Sequence, residues 1–182
     1  MMLALARHIP QADQSLRQGQ WNRSKYVGVE LRNKRLGIIG FGKIGSEVGK
    51  RAKAFGMEIT VYDPYVNADT AKRAGVELAD LDTLLQESDF ITVHMPLTSE
   101  TRHMIDKSQF ARMKDGVRIL NVARGGIIEE TALYDAIVSK KVAGAALDVY
   151  EKEPNTQSPL FELAEVIVTP HLGASTQEAQ VN

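Results

Sequence analysis

The sequence contains no cysteine. That excludes a disulfide framework and any thiolate metal site, and it agrees with a chain kept in a reducing cytoplasm. No metal is expected. Charge of one sign is also lacking: 22 Lys and Arg against 23 Asp and Glu leave a formal net charge of −1. Neither nucleic acid nor an acidic membrane surface is therefore an expected partner. Long hydrophobic runs are missing as well. The earliest apolar run, residues 1–6, is far short of the roughly 20 residues that span a bilayer, and no basic stretch precedes it as in a secretory signal. There is no internal repeat and no low-complexity tract. What remains is a 182-residue chain, 43% hydrophobic, of ordinary composition and long enough to bury the core of one domain.

Apolar spacing then divides the chain. Met2, Leu5, Ile9 and Ala12 recur every three or four residues and predict a helix over residues 1–18, which Pro10 should kink or end. Residues 17–33 carry Gly19, Trp21 and Gly28 without a clear period and read as a connection. From Lys34 onward, apolar runs at 36–39, 58–62, 90–93, 117–121, 143–149 and 166–168 alternate with helical stretches near 44–54, 80–87, 107–113, 130–139 and 159–164. Such alternation predicts an α/β fold, a doubly wound parallel sheet between two helical layers. Residues 151–158 form a polar loop that interrupts the pattern. The chain stops at Asn182 inside what reads as another helix, as a piece of a larger protein would.

Gly40-Phe41-Gly42-Lys43-Ile44-Gly45 fits G-x-G-x-x-G. Its context gives the match weight: an apolar run ends at 39, and Ile44, Val48, Ala52 and Phe55 follow at helical spacing, with Gly56 as a stop signal. In a dinucleotide-binding Rossmann loop the first glycine makes the tight turn and the second lets a pyrophosphate approach the backbone. The third lets the helix pack closely, and the free N–H groups of the helix start hold the phosphate charge. Asp63 falls 18 residues beyond Gly45, at the end of the next apolar run. A carboxylate there accepts hydrogen bonds from ribose hydroxyls and repels a 2′-phosphate, which predicts NAD over NADP. Standing before Pro64, it also reads as a turn aspartate, and the two roles are compatible.

Ligands of such sheets sit at the carboxyl ends of the strands. Arg124 follows the run 117–121, Glu151 and Glu153 follow 143–149, and His171 follows 166–168. Histidine titrates near neutral pH and can take a hydroxyl proton. Glu153 could fix its tautomer, and the planar fork of Arg124 suits a substrate carboxylate. His94, also after a strand, competes for the base role on position alone, with a place near the adenine as its other reading. His8 and His103 receive no role. Asp148 lies on an apolar run, where a buried carboxylate needs a partner, or could face the nicotinamide carboxamide.

Together with the segments 121–126, 148–154 and 169–176, these residues resemble the D-isomer-specific 2-hydroxyacid dehydrogenases over essentially the whole chain. The segment 171–180 is closest to the branch that oxidises 3-phospho-D-glycerate to 3-phosphohydroxypyruvate in serine synthesis. The resemblance implies a seven-stranded Rossmann domain that binds NAD, with Arg124, Glu153 and His171 as the catalytic trio. It implies a cofactor site drawn from Gly40, Gly42, Lys43, Ile44, Gly45, Asp63, Met95, Pro96, Val122, Ala123, Arg124, Asp148, His171, Gly173 and Ala174. It implies one NAD-binding domain over 1–182, with a leading helix and connection at 1–33 and the Rossmann core at 34–171, a homodimer formed through this domain, and a substrate-binding domain lying outside the chain. A cofactor domain of a glyoxylate/hydroxypyruvate reductase or a D-lactate dehydrogenase, or an NAD-sensing corepressor-like module, stays open on these residues.

Overall fold

The computed structural model describes residues 1–179. Seven strands form, β1 (Arg35–Ile39), β2 (Glu58–Tyr62), β3 (Glu77–Leu78), β4 (Phe90–Val93), β5 (Val117–Asn121), β6 (Val142–Leu147) and β7 (Val166–Val168). They make one sheet in the order β3-β2-β1-β4-β5-β6-β7, and every neighbouring pair is parallel. The helices are α1 (Met2–Arg7), α2 (Ile9–Arg17), α3 (Lys43–Ala54), α4 (Ala68–Ala74), α5 (Leu81–Glu87), α6 (Lys107–Arg112) and α7 (Glu130–Val138).

The central strands read as unbroken apolar runs because both faces are buried. Successive residues serve opposite cores. Ile39, Ile91, Val93 and Ile119 pack with Leu84 and Leu85 of α5, Phe110 of α6 and Leu133 and Ile137 of α7. Ile38, Phe90 and Leu120 pack with Leu5 of α1 and Ala52 of α3. Helices thus cover the two faces of a three-layer α/β/α domain.

The sheet differs from the sequence expectation in four places. Residues 1–18 form two helices, because His8 adopts a left-handed φ of 53° between them. Pro10 sits in the first turn of α2, where its missing N–H leaves no hydrogen bond unmade. Strand β3 and helix α4 carry no apolar pattern: both residues of β3 are exposed, and only Ala71 of α4 is buried. Residues 159–164 contain a 3₁₀ turn, Pro159–Glu162, rather than an α-helix. Residues 173–179 are turns and bends, and the remainder of the helix expected at the end of the chain lies outside the described residues. Among the described residues no helix is long and apolar enough to cross a membrane, and no group of three or more His, Cys, Asp or Glu is placed to hold a metal ion.

Strand register positions the site. Ile39 pairs with Tyr62 and with Val93, Val93 with Asn121, Asn121 with Leu147, and Leu147 with Val168. The residues that follow, Gly40, Asp63, His94, Val122, Asp148 and Thr169, therefore leave the sheet along a single edge. Strand β1 is flanked by β2 on one side and β4 on the other, so the connections diverge there and open a crevice.

Candidate cofactor and active site

The loop between β1 and α3 closes on itself at two glycines. Gly40 has φ 93°, and its N–H donates to the Tyr62 carbonyl at 2.8 Å. A β-carbon at Gly45 would lie 2.1 Å from the Gly40 carbonyl oxygen. Gly42 differs: a β-carbon there would meet nothing within 4 Å, and no side chain caps α3. The loop thus presents open space before uncapped helix N–H groups, the arrangement that receives a phosphate.

Asp63 tightens this loop. Its Oδ2 accepts the Phe41 N–H at 2.7 Å and its Oδ1 accepts the Tyr65 N–H at 2.8 Å. An ionised carboxylate has about four acceptor positions, so each oxygen keeps one for a further donor. The bond to Phe41 was not visible in the sequence, because it spans 22 residues and depends on the β1–β2 register.

Ile44, Met95, Pro96, Val122, Ala123 and Arg124, all expected at the cofactor site, line one cleft of about 270 Å³ together with His94. Lys43 stands exposed at the first turn of α3. His94 Nε2 lies 3.0 Å from the Thr92 hydroxyl. Burial pushes its pKa down to about 4, so near neutral pH it is an uncharged wall of the cleft, unsuited to the base role that its position had left open. Its folded pKa is below the unfolded value of about 6.5, and the unfolded chain takes up the extra proton as pH falls. Stability from this residue is therefore complete above pH 6.5 and is lost as pH falls from 6.5 toward 4, by about 3 kcal/mol in all. Denaturant titrations at pH 7.5 and pH 5 should show about 2 kcal/mol of that loss, and His94→Gln should remove most of it.

Asn121, the last residue of β5, builds the next loop. Its side chain donates to the Arg124 carbonyl at 2.9 Å and accepts the Ala123 N–H at 3.2 Å. Arg124 itself is exposed and donates to the Ala123 carbonyl at 2.6 Å. Gly125 then presses on the loop after β6, since a β-carbon there would lie 1.7 Å from the Tyr150 carbonyl oxygen.

His171 and Glu153 meet directly, with Nδ1 and Oε2 2.7 Å apart. The other Glu153 oxygen accepts the Tyr150 N–H at 3.0 Å. The bond from His171, ahead of the penalty of burial, holds the Glu153 carboxyl below its usual range. An ionised Glu153 requires the proton on Nδ1, which leaves the Nε2 lone pair outward. The geometry joins these two residues but, among the described residues, no hydrogen bond joins Arg124 to either of them.

Asp148 lies just past β6 and is buried, with both oxygens engaged. Oδ1 accepts the Thr169 hydroxyl and the Leu172 N–H at 2.8 Å, and Oδ2 accepts the Gly173 N–H at 2.7 Å. The partner that its burial demanded is thus the loop that carries His171, a residue with a left-handed φ of 54°. The Tyr150 hydroxyl donates to the Thr169 carbonyl at 2.9 Å. Ala174 lies beyond, in an exposed turn. Asn121, Tyr150 and Thr169 were missed as site-building residues. A polar residue directly after each apolar run was the available signal.

The profile of the D-isomer specific 2-hydroxyacid dehydrogenase, NAD binding domain, matches residues 1–173. The chain belongs to that family. Its NAD-binding domain is 56% identical to a D-3-phosphoglycerate dehydrogenase of Archaeoglobus fulgidus, covering 100% of this chain and 35% of that one. It is 55% identical to a hydroxypyruvate reductase of Thermotoga maritima, covering 99% of this chain and 59% of that one. The solved structure of a D-lactate dehydrogenase from Aquifex aeolicus complexed with NAD and lactic acid superposes with a TM-score of 0.89 at 34% identity, covering 99% of this chain and 59% of that one. The chain spans about a third of the length of the first curated relatives it matches. Among the described residues, the open position at Gly42, the uncapped start of α3 and the cleft beside it fit the dinucleotide that defines the family.

Proposed function

We propose that this chain is the cofactor half of an NAD-dependent dehydrogenase that oxidises 3-phospho-D-glycerate to 3-phosphohydroxypyruvate. The observation that carries the reading is the His171–Glu153 pair, 2.7 Å apart, on the same sheet edge as the open phosphate loop. NAD, when bound, would supply the acceptor for the hydride of the carbinol carbon. His171 Nε2 takes the hydroxyl proton, and Glu153 stabilises the imidazolium through Nδ1. Arg124 pairs with the substrate carboxylate by its guanidinium fork. Gly40, Gly42, Lys43, Ile44 and Gly45 would hold the pyrophosphate. Met95, Pro96, Val122 and Ala123 line the cleft that would take the cofactor, and Asp148, Gly173 and Ala174 would border its nicotinamide end.

Substrate identity rests on the relatives. Identity to the phosphoglycerate enzyme and to the hydroxypyruvate reductase differs by one percentage point, so the second reading is a hydroxypyruvate reductase. The substrate-binding domain then belongs to a longer protein of which residues 1–182 are one domain. Exposed Leu3, Ile9, Leu16 and Trp21 on and after the first two helices support a homodimer through this region. The cysteine-free composition supports a cytoplasmic setting. Steady-state assays of the complete enzyme should give higher kcat/KM with 3-phosphoglycerate and NAD than with glycerate and NAD, and residues 1–182 alone should bind NADH without measurable turnover. A preference for glycerate transfers the assignment to the reductase.

Asp63 accepts the adenosine ribose hydroxyls in this reading. Asp63→Ala should weaken NADH by about tenfold, the equivalent of roughly one to two hydrogen bonds, and erase most of its advantage over NADPH. Competitive titration with the two cofactors checks this, and an unchanged preference places the ribose elsewhere.

A further inference from the structure

The two halves of the chemistry stand on different loops. Arg124 rides on the loop after β5, and Glu153, with His171 attached, rides on the loop after β6. Their separation must be fixed for a substrate held by one to be deprotonated by the other, and displacements on the order of 1 Å at such sites cost about 100-fold in rate.

Glu130 and Glu151 lie where these loops meet. The Glu151 N–H donates to Glu130 Oε1 at 2.7 Å, and the Glu130 N–H donates to Glu151 Oε1 at 3.1 Å. Each carboxylate thus holds the other residue's backbone. Glu130 opens α7, whose N-cap residue Glu129 makes no side-chain cap, so Glu151 supplies from a distant loop the anion that a helix start favours. His103 Nε2 stands 3.2 Å from the same Glu151 oxygen, without hydrogen-bond alignment, and the His103 N–H donates to the Gly126 carbonyl at 2.7 Å. Burial, and then the neighbouring Glu151 charge, work against ionisation of Glu130, and its carboxyl is held above the usual range. The two carboxylates are kept close here, and the two reciprocal N–H bonds offset their repulsion.

The position of this cluster gives it a function. Gly125, one residue after Arg124, packs on the carbonyl of Tyr150, one residue before Glu151. The Tyr150 N–H in turn holds Glu153. The reciprocal bonds of Glu130 and Glu151 close the same joint from its other side. Resting on the functional reading above, we infer that Glu151, braced by Glu130 and His103, is a positioning residue that sets the distance between the carboxylate-binding Arg124 and the Glu153–His171 base.

The test uses Glu151→Ala, which removes the acceptor, and Glu151→Gln, which keeps it. In the complete enzyme, Glu151→Ala should lower kcat/KM for the 2-hydroxy acid by about 10- to 100-fold, mainly in kcat. NADH affinity should stay within twofold, and Glu151→Gln should recover most of the loss. Amide hydrogen exchange on residues 1–182 supplies a second readout that needs no turnover. Exchange at the His103 and Ala123 amides, whose hydrogen bonds tie the Arg124 loop, should rise at least tenfold in Glu151→Ala, with the Gly40 and Phe41 amides of the phosphate loop unchanged and Glu151→Gln near the unmodified chain. Exchange that rises equally in both loops, or kcat/KM within twofold of the unmodified enzyme, overturns the inference. If the unmodified enzyme turns over no 2-hydroxy acid, the functional reading fails instead, and the exchange pattern alone decides whether Glu151 holds the joint.

Discussion

Gly45→Ala is expected to destabilise the chain by about 3 kcal/mol, in the range of mutations that force a backbone shift, and to abolish NADH binding in the concentration range that saturates the unmodified chain. The reason is a clash with a backbone oxygen, backed by a stiff β-branched side chain. The added methyl would lie 2.1 Å from the Gly40 carbonyl oxygen and 3.3 Å from Ile38 Cγ2, and neither can swing away as a long side chain would. Relief requires α3 to move off β1, which carries the helix N–H groups away from the loop. Gly42→Ala makes the opposite prediction. Its methyl meets nothing within 4 Å and its φ of −75° suits any residue, so stability should change by less than about 1 kcal/mol, the usual span for an N-cap exchange. NADH affinity should nevertheless fall by 10-fold or more, because the methyl occupies the space reserved for the pyrophosphate. Urea unfolding and cofactor titration of both variants separate the two effects. If Gly42→Ala binds NADH normally, the pyrophosphate does not pass over residue 42.

The second large effect concerns His171. In the complete enzyme, His171→Asn should lower kcat by about 10² to 10⁴, the usual worth of a positioned general base, with NADH affinity nearly unchanged. Glu153→Gln should cost less in kcat than His171→Asn, because its remaining oxygen can still accept the Nδ1–H while the charge that stabilises the imidazolium is gone. Pre-steady-state and steady-state rates with the two variants check this ordering. Equal loss of turnover and cofactor affinity in His171→Asn would make the histidine a structural support of the loop that Asp148 holds.

Much of this arrangement was legible in the sequence for a physical reason. A strand buried on both faces must be apolar throughout, so six of the seven strands announced themselves, and the residues after them had to leave at one edge of a parallel sheet. The Gly-x-Gly-x-x-Gly spacing named the loop because its three glycines answer three different steric demands, two of which are visible as would-be clashes at 40 and 45. Strand β3 and helix α4 were hidden because they bury almost nothing. Helix α4 is marked only by its ends, Asn67 accepting the Thr70 N–H and Gly75 in a left-handed conformation. The break at His8 was hidden because the apolar period runs through it.

The site was legible by residue and not by bonding. Arg124, Glu153 and His171 could be placed on neighbouring strand ends, but the 2.7 Å pairing of the last two depends on how the 148–153 and 169–173 loops fold onto each other. Asp148 shows the gap most clearly. Its burial was foreseen and a polar partner was required, yet that partner is the loop around His171. His103, assigned nothing from the sequence, stands at the joint between the Arg124 and Glu153 loops. Its place there follows from its bond to the Gly126 carbonyl, which no local pattern encodes.

The central claim is that the β1–α3 loop and Asp63 form an NAD site in these residues. Calorimetric titration of residues 1–182 with NADH and, separately, with NADPH tests it most directly. One NADH should bind per chain, with at least tenfold weaker binding of NADPH. Equal affinity for the two would contradict the role of Asp63, and binding of neither would contradict the site itself.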